Sequence, residues 1–215
     1  SRASFAILKQ YRKAREAAEV SGPFSMRVID SKTIFAGTGV LVAEAAKLIA
    51  QGMHPNEVRL NLDNMIPEIC GYMVPADLGY VRARGFKKGE RKSFSDTLRG
   101  AALAVGSALS LHPIIKIYRG EEDPATVNMS YEKSVRRMLE HVTAQIKAGK
   151  VTSGSVCLSY AGDPSAVPDM AGFRELDAAA REAGLDLHLS TMSATGAVNV
   201  GAGCLFVAYA GEPGE

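Results

Sequence analysis

The stretch Met26-Arg-Val-Ile-Asp30-Ser31-Lys-Thr-Ile-Phe-Ala-Gly37-Thr38-Gly39 leads directly into an apolar-periodic segment that ends at Gln51. Its short β-rich run, glycine turn and helix start predict a strand over 26–30 and a helix over 37–51. In an open α/β sheet, ligands bind at the carboxyl ends of strands, where such turns meet helix N-termini. Unpaired backbone N–H groups there favour an anionic head group. The stretch therefore predicts an anion site at its glycine turn.

The same glycines have a second interpretation, in which Gly37 and Gly39 only permit a tight turn between strand and helix. A dinucleotide fingerprint is not present, because its third glycine falls at Val42. A module that binds a small anion, a phosphate or a nucleotide stays open as an alternative, using this turn and the basic loop over 82–92.

Composition describes an ordinary globular chain of 215 residues, 47% hydrophobic and 22% charged. The net charge is +2 with both signs interspersed, so the charge distribution does not indicate binding to nucleic acid or to an anionic membrane. The longest apolar stretch, 100–111, is interrupted by Ser107 and Ser110 and is shorter than the roughly 20 residues that span a bilayer. We expect a cytoplasmic protein without nucleic-acid partners or membrane insertion.

Cysteine and histidine usage argues against disulfides and metal sites. Cys70, Cys157 and Cys204 are isolated in apolar surroundings, as expected of buried thiols in a reducing compartment. The four histidines are scattered and form no ligand pair at helical spacing. The sequence therefore predicts neither a metal nor another cofactor.

Helical and strand patterns alternate along the chain, which predicts an α/β fold. The pattern predicts helices over 5–20, 37–51, 55–66, 95–111, 130–147 and 165–183, and strands over 26–30, 71–75, 114–118, 155–160, 185–189 and 204–209. A turn is predicted over 120–124. The break around 67–71 predicts a boundary between a domain over 1–70 and a second α/β domain over 71–215. Since one helix and one strand cannot close a parallel sheet, we expect the first domain to continue upstream.

The chain resembles the DegV family of fatty-acid-binding proteins. The resemblance is carried by Val28-Ile-Asp30-Ser31, Gly37-Thr38-Gly39, Asp77-Leu78-x-Tyr80-Val-Arg-x-Arg-Gly85, Leu109-Ser-Leu-His-Pro113-Ile114-Ile115 and the terminal Asn199-Val-Gly201-Ala-Gly203-Cys-Leu-Phe-Val-Ala-Tyr209. These motifs occur in family order across nearly the whole chain. The resemblance implies two α/β domains with a long-chain fatty acid between them, in a protein that carries lipid and performs no chemistry. It also implies a fatty-acid kinase as a partner, and an N-terminal segment that this sequence lacks.

The resemblance also suggests where the ligand lies. The head-group residues predicted on this basis are Ser4, Asp30, Ser31, Thr38, Arg84 and Asn199. The predicted acyl pocket consists of Phe35, Ala102, Leu103, Val105, Leu109, Ile114 and Phe206. Small residues in the helix 98–111 leave room for an acyl tail, although they equally allow a helix to approach a sheet closely. Thr38 is equally interpretable as a helix N-cap.

This chain departs from the family pattern at several positions. The Ser-Gly-Thr-Tyr of the family is Leu8-Lys9-Gln10-Tyr11 here, and its Gly-Gly-Arg-Ile loop is Arg84-Gly85-Phe86-Lys87. A head-group histidine falls at Asn199, which donates an N–H but carries no charge. These departures describe a diverged member.

A serine hydrolase is the enzyme alternative. Its triad would have to assemble in three dimensions from Ser31, His112 or His188, and Asp163. No G-x-S-x-G nucleophile elbow is present in the sequence to support it.

Overall fold

The computed structural model describes residues 2–22, 27–84 and 112–214, except for the side chains of 2–5, 82–84 and 124. The chain divides into two compact units, residues 1–30 and 31–215. The predicted helix over 95–111 and most of the basic loop over 82–92 lie outside the described residues. Residues 31–70 belong to the same compact unit as residues 71–215, and the predicted domain boundary near residue 70 stays a prediction.

The first unit consists mainly of α1 (Arg2–Ala17). The helix was predicted over 5–20 but ends earlier, where Glu19 adopts a positive φ of 50°. The guanidinium of Arg15 donates to the carbonyl of Gly22 at 3.4 Å, beyond the helix end.

The strand predicted over 26–30 is wrong for residues 27–30, which have no regular secondary structure. Met26 lies outside the described residues. A short strand persists only where neighbouring strands take up its backbone hydrogen bonds. None of the described strand pairings includes 27–30.

The second unit alternates helices and strands. Its elements are α2 (Ala36–Ala50), α3 (Pro55–Met65), a 3-10 turn (Ile66–Glu68), β1 (Ile69–Val74), α4 (Leu78–Arg84), β2 (His112–Tyr118), β3 (Glu121–Asn128), α5 (Tyr131–Lys147), β4 (Ser155–Tyr160), a second 3-10 turn (Pro164–Asp169), α6 (Phe173–Glu182), β5 (Asp186–Thr191), α7 (Ala194–Val200) and β6 (Leu205–Ala210).

Two helix starts follow from local capping chemistry. Ser130 accepts a hydrogen bond from the Lys133 N–H at 3.4 Å and so caps α5 as predicted. His54 accepts from the Asn56 N–H at 3.3 Å, and Pro55 occupies the first helical position of α3. Both predicted helix starts are confirmed.

The described strands form one six-stranded sheet in the order β3-β2-β1-β6-β4-β5. Only β4 and β5 run parallel, and the other described neighbours are antiparallel. The predicted α/β class is confirmed, with a mixed sheet. β3 occupies the turn predicted over 120–124, and the register shifts opposite Ile114 and Ile115. That irregularity and the edge position accommodate Pro124, which has no N–H to donate.

The helices cover the sheet from two sides. On one side, called the α5 face, α5 and α6 bury a core that includes Tyr72, Leu139, Leu158, Leu176 and Val207. On the other side, called the α2 face, α2 packs on β1, β6 and β4. Because side chains alternate along a strand, Phe206 faces α2 while its neighbour Val207 faces α5.

The structure differs from the prediction at three further helices. The predicted helix over 165–183 is interrupted where Gly172 adopts a φ of 93°, close to Arg136 and Leu139 of α5. α4 and α7, of seven residues each, were not predicted. Such short helices carry too little periodicity to be recognised from sequence.

Replacing Gly71 with alanine should destabilise the fold by about 1–3 kcal/mol. An added Cβ would lie 2.5 Å from Cζ of Phe206, whose ring is fully buried and cannot move aside cheaply. Gly39→Ala is the matched control, because its Cβ would meet Cys157 at an ordinary 3.6 Å. We expect that control to be neutral or stabilising by up to about 1 kcal/mol, as alanine favours helix. Urea denaturation of both variants measures the difference, and equal stabilities would contradict the close packing at Gly71.

His141 should make stability rise with pH. Its ring nitrogen Nε2 lies 3.0 Å from the Tyr72 hydroxyl, and burial, with Lys116 nearby, lowers the pKa of His141 below 6.5. A depressed histidine pKa means that the unfolded chain binds more protons. The stability contribution is complete above pH 6.5 and is lost as pH falls towards the lowered pKa. Urea denaturation at several pH values should show the free energy of unfolding rising with pH in the natural protein and rising less steeply in His141→Gln. An equally steep rise in the variant would contradict the role of His141.

Candidate functional site

The Ser31 hydroxyl links the turn before α2 to the helix through Thr33 and Thr38. Ser31 Oγ donates to the Thr33 carbonyl at 3.2 Å and lies 3.5 Å from Thr38 Oγ1. An added Cβ at Gly37 would overlap the Thr33 hydroxyl. Gly37 is therefore explained by close packing within the turn, which supports the second interpretation of this glycine.

The backbone amides at the start of α2 are largely used by the turn itself. The N–H of Gly37 donates to the carbonyl of Ile34 at 2.9 Å, and the N–H of Thr38 donates to that of Phe35 at 3.1 Å. The predicted anion site therefore offers fewer free amides than the sequence suggested. The positive end of the helix dipole remains at this place.

Phe35 joins the start of α2 to the sheet and to α7. Its ring lies edge-on to that of Phe206, with centroids 5.4 Å apart. It also lies so close to Gly196 that an added Cβ there would be 2.8 Å from the ring. Phe35 has a φ of 48°, which a bulky residue adopts at a cost. Strain of this kind often accompanies functional sites.

A groove of about 590 Å³ runs between α2 and strands β4 and β5 on the α2 face. The helix side is lined by Ala36, Gly39, Val42, Ala43, Glu44, Ala46, Lys47 and Ala50, and the strand side by Gly154, Ser155, Cys157, Leu158, Asp186, His188 and Ser190. The floor is small and apolar, and the charged residues gather towards one end. The side chain of Lys47 lies against Gly154. A Cβ added at Gly154 would be 2.8 Å from Nζ of Lys47 and 3.8 Å from Oε2 of Glu44.

Of the predicted head-group residues in the second unit whose side chains are described, none lines this groove. Ser31 and Thr38 lie together, but at about 100° per residue Thr38 is roughly a third of a turn away from the side of α2 that lines the groove. Asn199 is exposed and donates its side-chain N–H to the Thr195 carbonyl of its own helix at 2.8 Å. Asp30 is exposed in the first unit. The backbones of Ser4 and Arg84 lie in helices, and their side chains lie outside the described residues.

The predicted acyl-pocket residues do not lie together in one pocket. Phe35 and Phe206 contact each other on the α2 face. Ile114 packs in the core of the α5 face, so it does not share a slot with Phe206. Ala102, Leu103, Val105 and Leu109 lie outside the described residues.

Sequence reasoning missed a row of small polar side chains on β4, of which Ser155 and Cys157 line the groove. Ser155, Cys157 and Ser159 alternate along β4 with the apolar Val156 and Leu158. This period-2 pattern was the available signal that one face of the strand is polar. Ser159 is almost fully buried, and its hydroxyl has no hydrogen-bond partner in the described part of the chain.

A second cleft of about 600 Å³ lies on the α5 face between α5 and strands β2 and β3. Its charged walls include Lys116, Asp123, Arg137 and Glu140. Arg136 pairs with Glu140 at 2.7 Å, and Arg137 donates to Asn128 at 3.0 Å. Glu140 and Arg137 thus already have partners within the protein.

The hydrolase triad is not assembled among the described residues. Ser31 interacts with Thr33 and Thr38, and no hydrogen bond joins it to His112 or His188. Asp163 instead accepts a hydrogen bond from the Ser165 N–H at 2.9 Å.

Within the described ranges, no group of three His, Cys, Asp or Glu side chains is placed to hold a metal ion. No helix in those ranges has the length and apolar character needed to cross a membrane.

Comparison with known sequences identifies a family. A family model described as "Uncharacterised protein, DegV family" matches residues 4–212. A DegV domain-containing protein of Xanthomonas campestris pv. campestris is 40% identical over 213 residues, which cover 99% of this chain and 66% of that protein. A second, from Xanthomonas axonopodis pv. citri, is 40% identical over 98% of this chain and 65% of its own length. The chain thus spans just under two thirds of these relatives.

Solved structures share the fold. The crystal structure of DegV, a fatty acid binding protein from Bacillus subtilis, superposes with a TM-score of 0.62 at 20% identity over 93% of this chain and 65% of that one. A DegV family protein from Eubacterium eligens loaded with heptadecanoic acid gives 0.62 at 14% identity, over 87% and 62% of the two chains. A stearic acid-binding protein from Eubacterium ventriosum gives 0.61 at 16% identity, over 94% and 64%.

The three cysteines should be unreactive in the folded protein. Burial raises the pKa of Cys70 to about 12 and that of Cys157 to about 11, and it also raises the pKa of Cys204. Because the thiolate is the reactive form, a disulfide reagent at about pH 8 should label no thiol quickly in the native state. The same reagent in denaturant should titrate all 3. Rapid labelling of Cys157 without denaturant would show that the groove floor is open.

Proposed function

This chain belongs to the DegV family, and from that membership we propose that it binds a long-chain fatty acid whose acyl chain lies in the groove between α2, β4 and β5. The groove carries the proposal, because its volume of about 590 Å³ lies within the range typical of small-molecule sites. Its floor of alanine, glycine and cysteine side chains suits an acyl chain. The fatty-acid-binding relatives of known structure support the ligand class.

The groove has the length and the apolar character that an acyl chain needs. Ala36 and Ala50 line its two ends and are separated along the helix by about 21 Å. Each buried CH₂ contributes about 0.8 kcal/mol, so a sixteen-carbon chain supplies on the order of 10 kcal/mol before the costs of ordering. This hydrophobic contribution favours binding, and what remains of it after the costs of association and ordering sets the affinity.

The proposal makes the protein a carrier that performs no chemistry and lies in the cytoplasm. Presentation of the acyl carboxylate to a fatty-acid kinase is part of this proposal. Ser31 and Thr38 shape the turn at the start of α2 in this arrangement. The roles predicted for Ser4, Asp30, Arg84 and Asn199 stay predictions. The alternative of a phosphate or nucleotide module has less support, because the turn uses the amides of Gly37 and Thr38 itself.

The first test is mass spectrometry of the purified natural full-length protein, under native conditions and after organic extraction. The proposal expects one long-chain fatty acid per protein. A protein that carries none, and that does not take up palmitic acid when it is supplied, would contradict the proposal.

Ala43→Trp should empty the groove. The indole would occupy the space of the acyl chain, so we expect the bound fatty acid to be lost and the affinity for palmitic acid to fall at least about tenfold. Ala45→Trp is the matched control, because residue 45 is turned about 200° away from residue 43 on the same helix. Retention of fatty acid by both variants would place the acyl chain elsewhere.

A further inference from the structure

The cleft on the α5 face combines two cations with an apolar floor. Lys116 of β2 and Arg137 of α5 line it, together with the buried side chains of Tyr72, Ile114 and Met138. Its volume of about 600 Å³ lies within the range typical of small-molecule sites. A cleft of this composition suits a ligand that has an anionic end and an apolar body.

A chain of hydrogen bonds holds the guanidinium of Arg137 in place. Nη1 of Arg137 donates to Oδ1 of Asn128 at 3.0 Å. Asn128 in turn donates from Nδ2 to the Ser134 hydroxyl at 3.0 Å, and that hydroxyl donates to the carbonyl of His112. Asn128 and Ser134 are buried. Because every partner in this chain is neutral, the chain orients the guanidinium but does not neutralise its charge.

Lys116 lies in a row of side chains that crosses the sheet under α5. Its register partners are Tyr72 on β1 and Asp123 on β3. Within the described ranges, neither Lys116 nor Arg137 forms an ion pair with a carboxylate. The cleft therefore offers two cations, from a strand and from the helix above it, whose charges have no close counterpart in this part of the chain.

Two carboxylates also line the cleft, but they do not cancel these cations. Glu140 is paired at 2.7 Å with Arg136, which is not among the lining residues. Asp123 is exposed, so water weakens the effect of its charge. Lys116 and Arg137 therefore leave the cleft with a positive balance, which favours an anionic ligand.

We propose that this cleft binds an organic phosphate monoester. The phosphate lies between Lys116 and Arg137, and the apolar body of the ligand packs on the floor. Guanidinium and ammonium groups both donate well to phosphate oxygens, and two cations match a group that carries nearly two negative charges at pH 7. The cleft and the proposed fatty-acid groove lie on opposite faces of the sheet, so this inference does not depend on the proposed function.

Phenyl phosphate is the probe, because it joins a phosphate to a flat apolar ring. It is titrated into the natural full-length protein and followed by NMR of the ligand. We expect a Kd on the order of 1 mM, as is usual for a ligand of this size. Benzoate, which carries one charge, and phenol, which carries none, should bind more weakly. No binding of phenyl phosphate at about 10 mM, or equally tight binding of benzoate, would overturn the proposal.

Two variants with opposite effects locate the phosphate. Lys116→Met keeps an unbranched apolar side chain and removes the charge, so the Kd for phenyl phosphate should rise on the order of tenfold. Asp123→Asn removes a carboxylate that repels the phosphate, so the Kd should fall about threefold. Asp123 is exposed, and this second variant therefore provides a test even if Lys116→Met does not fold.

Lys147→Met is the matched control. It makes the same chemical change in the last turn of α5, at a residue that does not line the cleft. We expect its Kd for phenyl phosphate to equal that of the natural protein. Equal losses in Lys147→Met and Lys116→Met would show that only the net charge of the protein matters, and would overturn the site. The affinity for palmitic acid should be the same in all of these variants, so a failure of fatty-acid binding and a failure of this site are observed separately.

Discussion

A column of four closely packed residues joins the start of α2 to the sheet. The Phe206 ring lies against Gly71 of the neighbouring strand, where an added Cβ would be 2.5 Å away. Phe35 stands edge-on to Phe206 at 5.4 Å and packs in turn against Gly196. Two rings thus fit only because two glycines leave room for them. The column joins the centre of the sheet to α2 and α7, and its central residue Phe35 has a positive φ.

The position of the groove depends on the position of this column, because the column fixes one end of α2 on the sheet. α2 is held near the middle of the sheet at one end and crosses towards β4 and the edge strand β5. Beneath it, the strands carry small or polar side chains such as Cys157 and Ser190, which do not fill the space below the helix. The result is an apolar channel with one end under the dipole of α2. A carrier needs such a channel to hold an acyl tail without supplying any chemistry.

Elements with strong local signals were predictable, and those shaped by neighbours were not. α5 was predicted because Ser130 caps it and its periodicity continues to Lys147. β4 was predicted with its observed bounds from a compact β-rich run. β3 was missed because its acidic residues and Pro124 are typical of a turn, and only pairing with β2 along the sheet edge makes it a strand. The strand expected over 26–30 had the composition of a strand, but 27–30 find no pairing among the described strands.

The sequence by itself determined the α/β class, the family and the positions of the long capped helices, because periodicity and ordered motifs are properties of the chain alone. Only the tertiary structure decided which side chains meet. It turned Thr38 away from the groove, since a helix rotates by about 100° per residue. It placed Ile114 and Phe206 on opposite faces, since strand side chains alternate. It also left the Ser159 hydroxyl buried without a hydrogen-bond partner among the described residues, since hydrogen-bond satisfaction depends on neighbours that are distant in sequence.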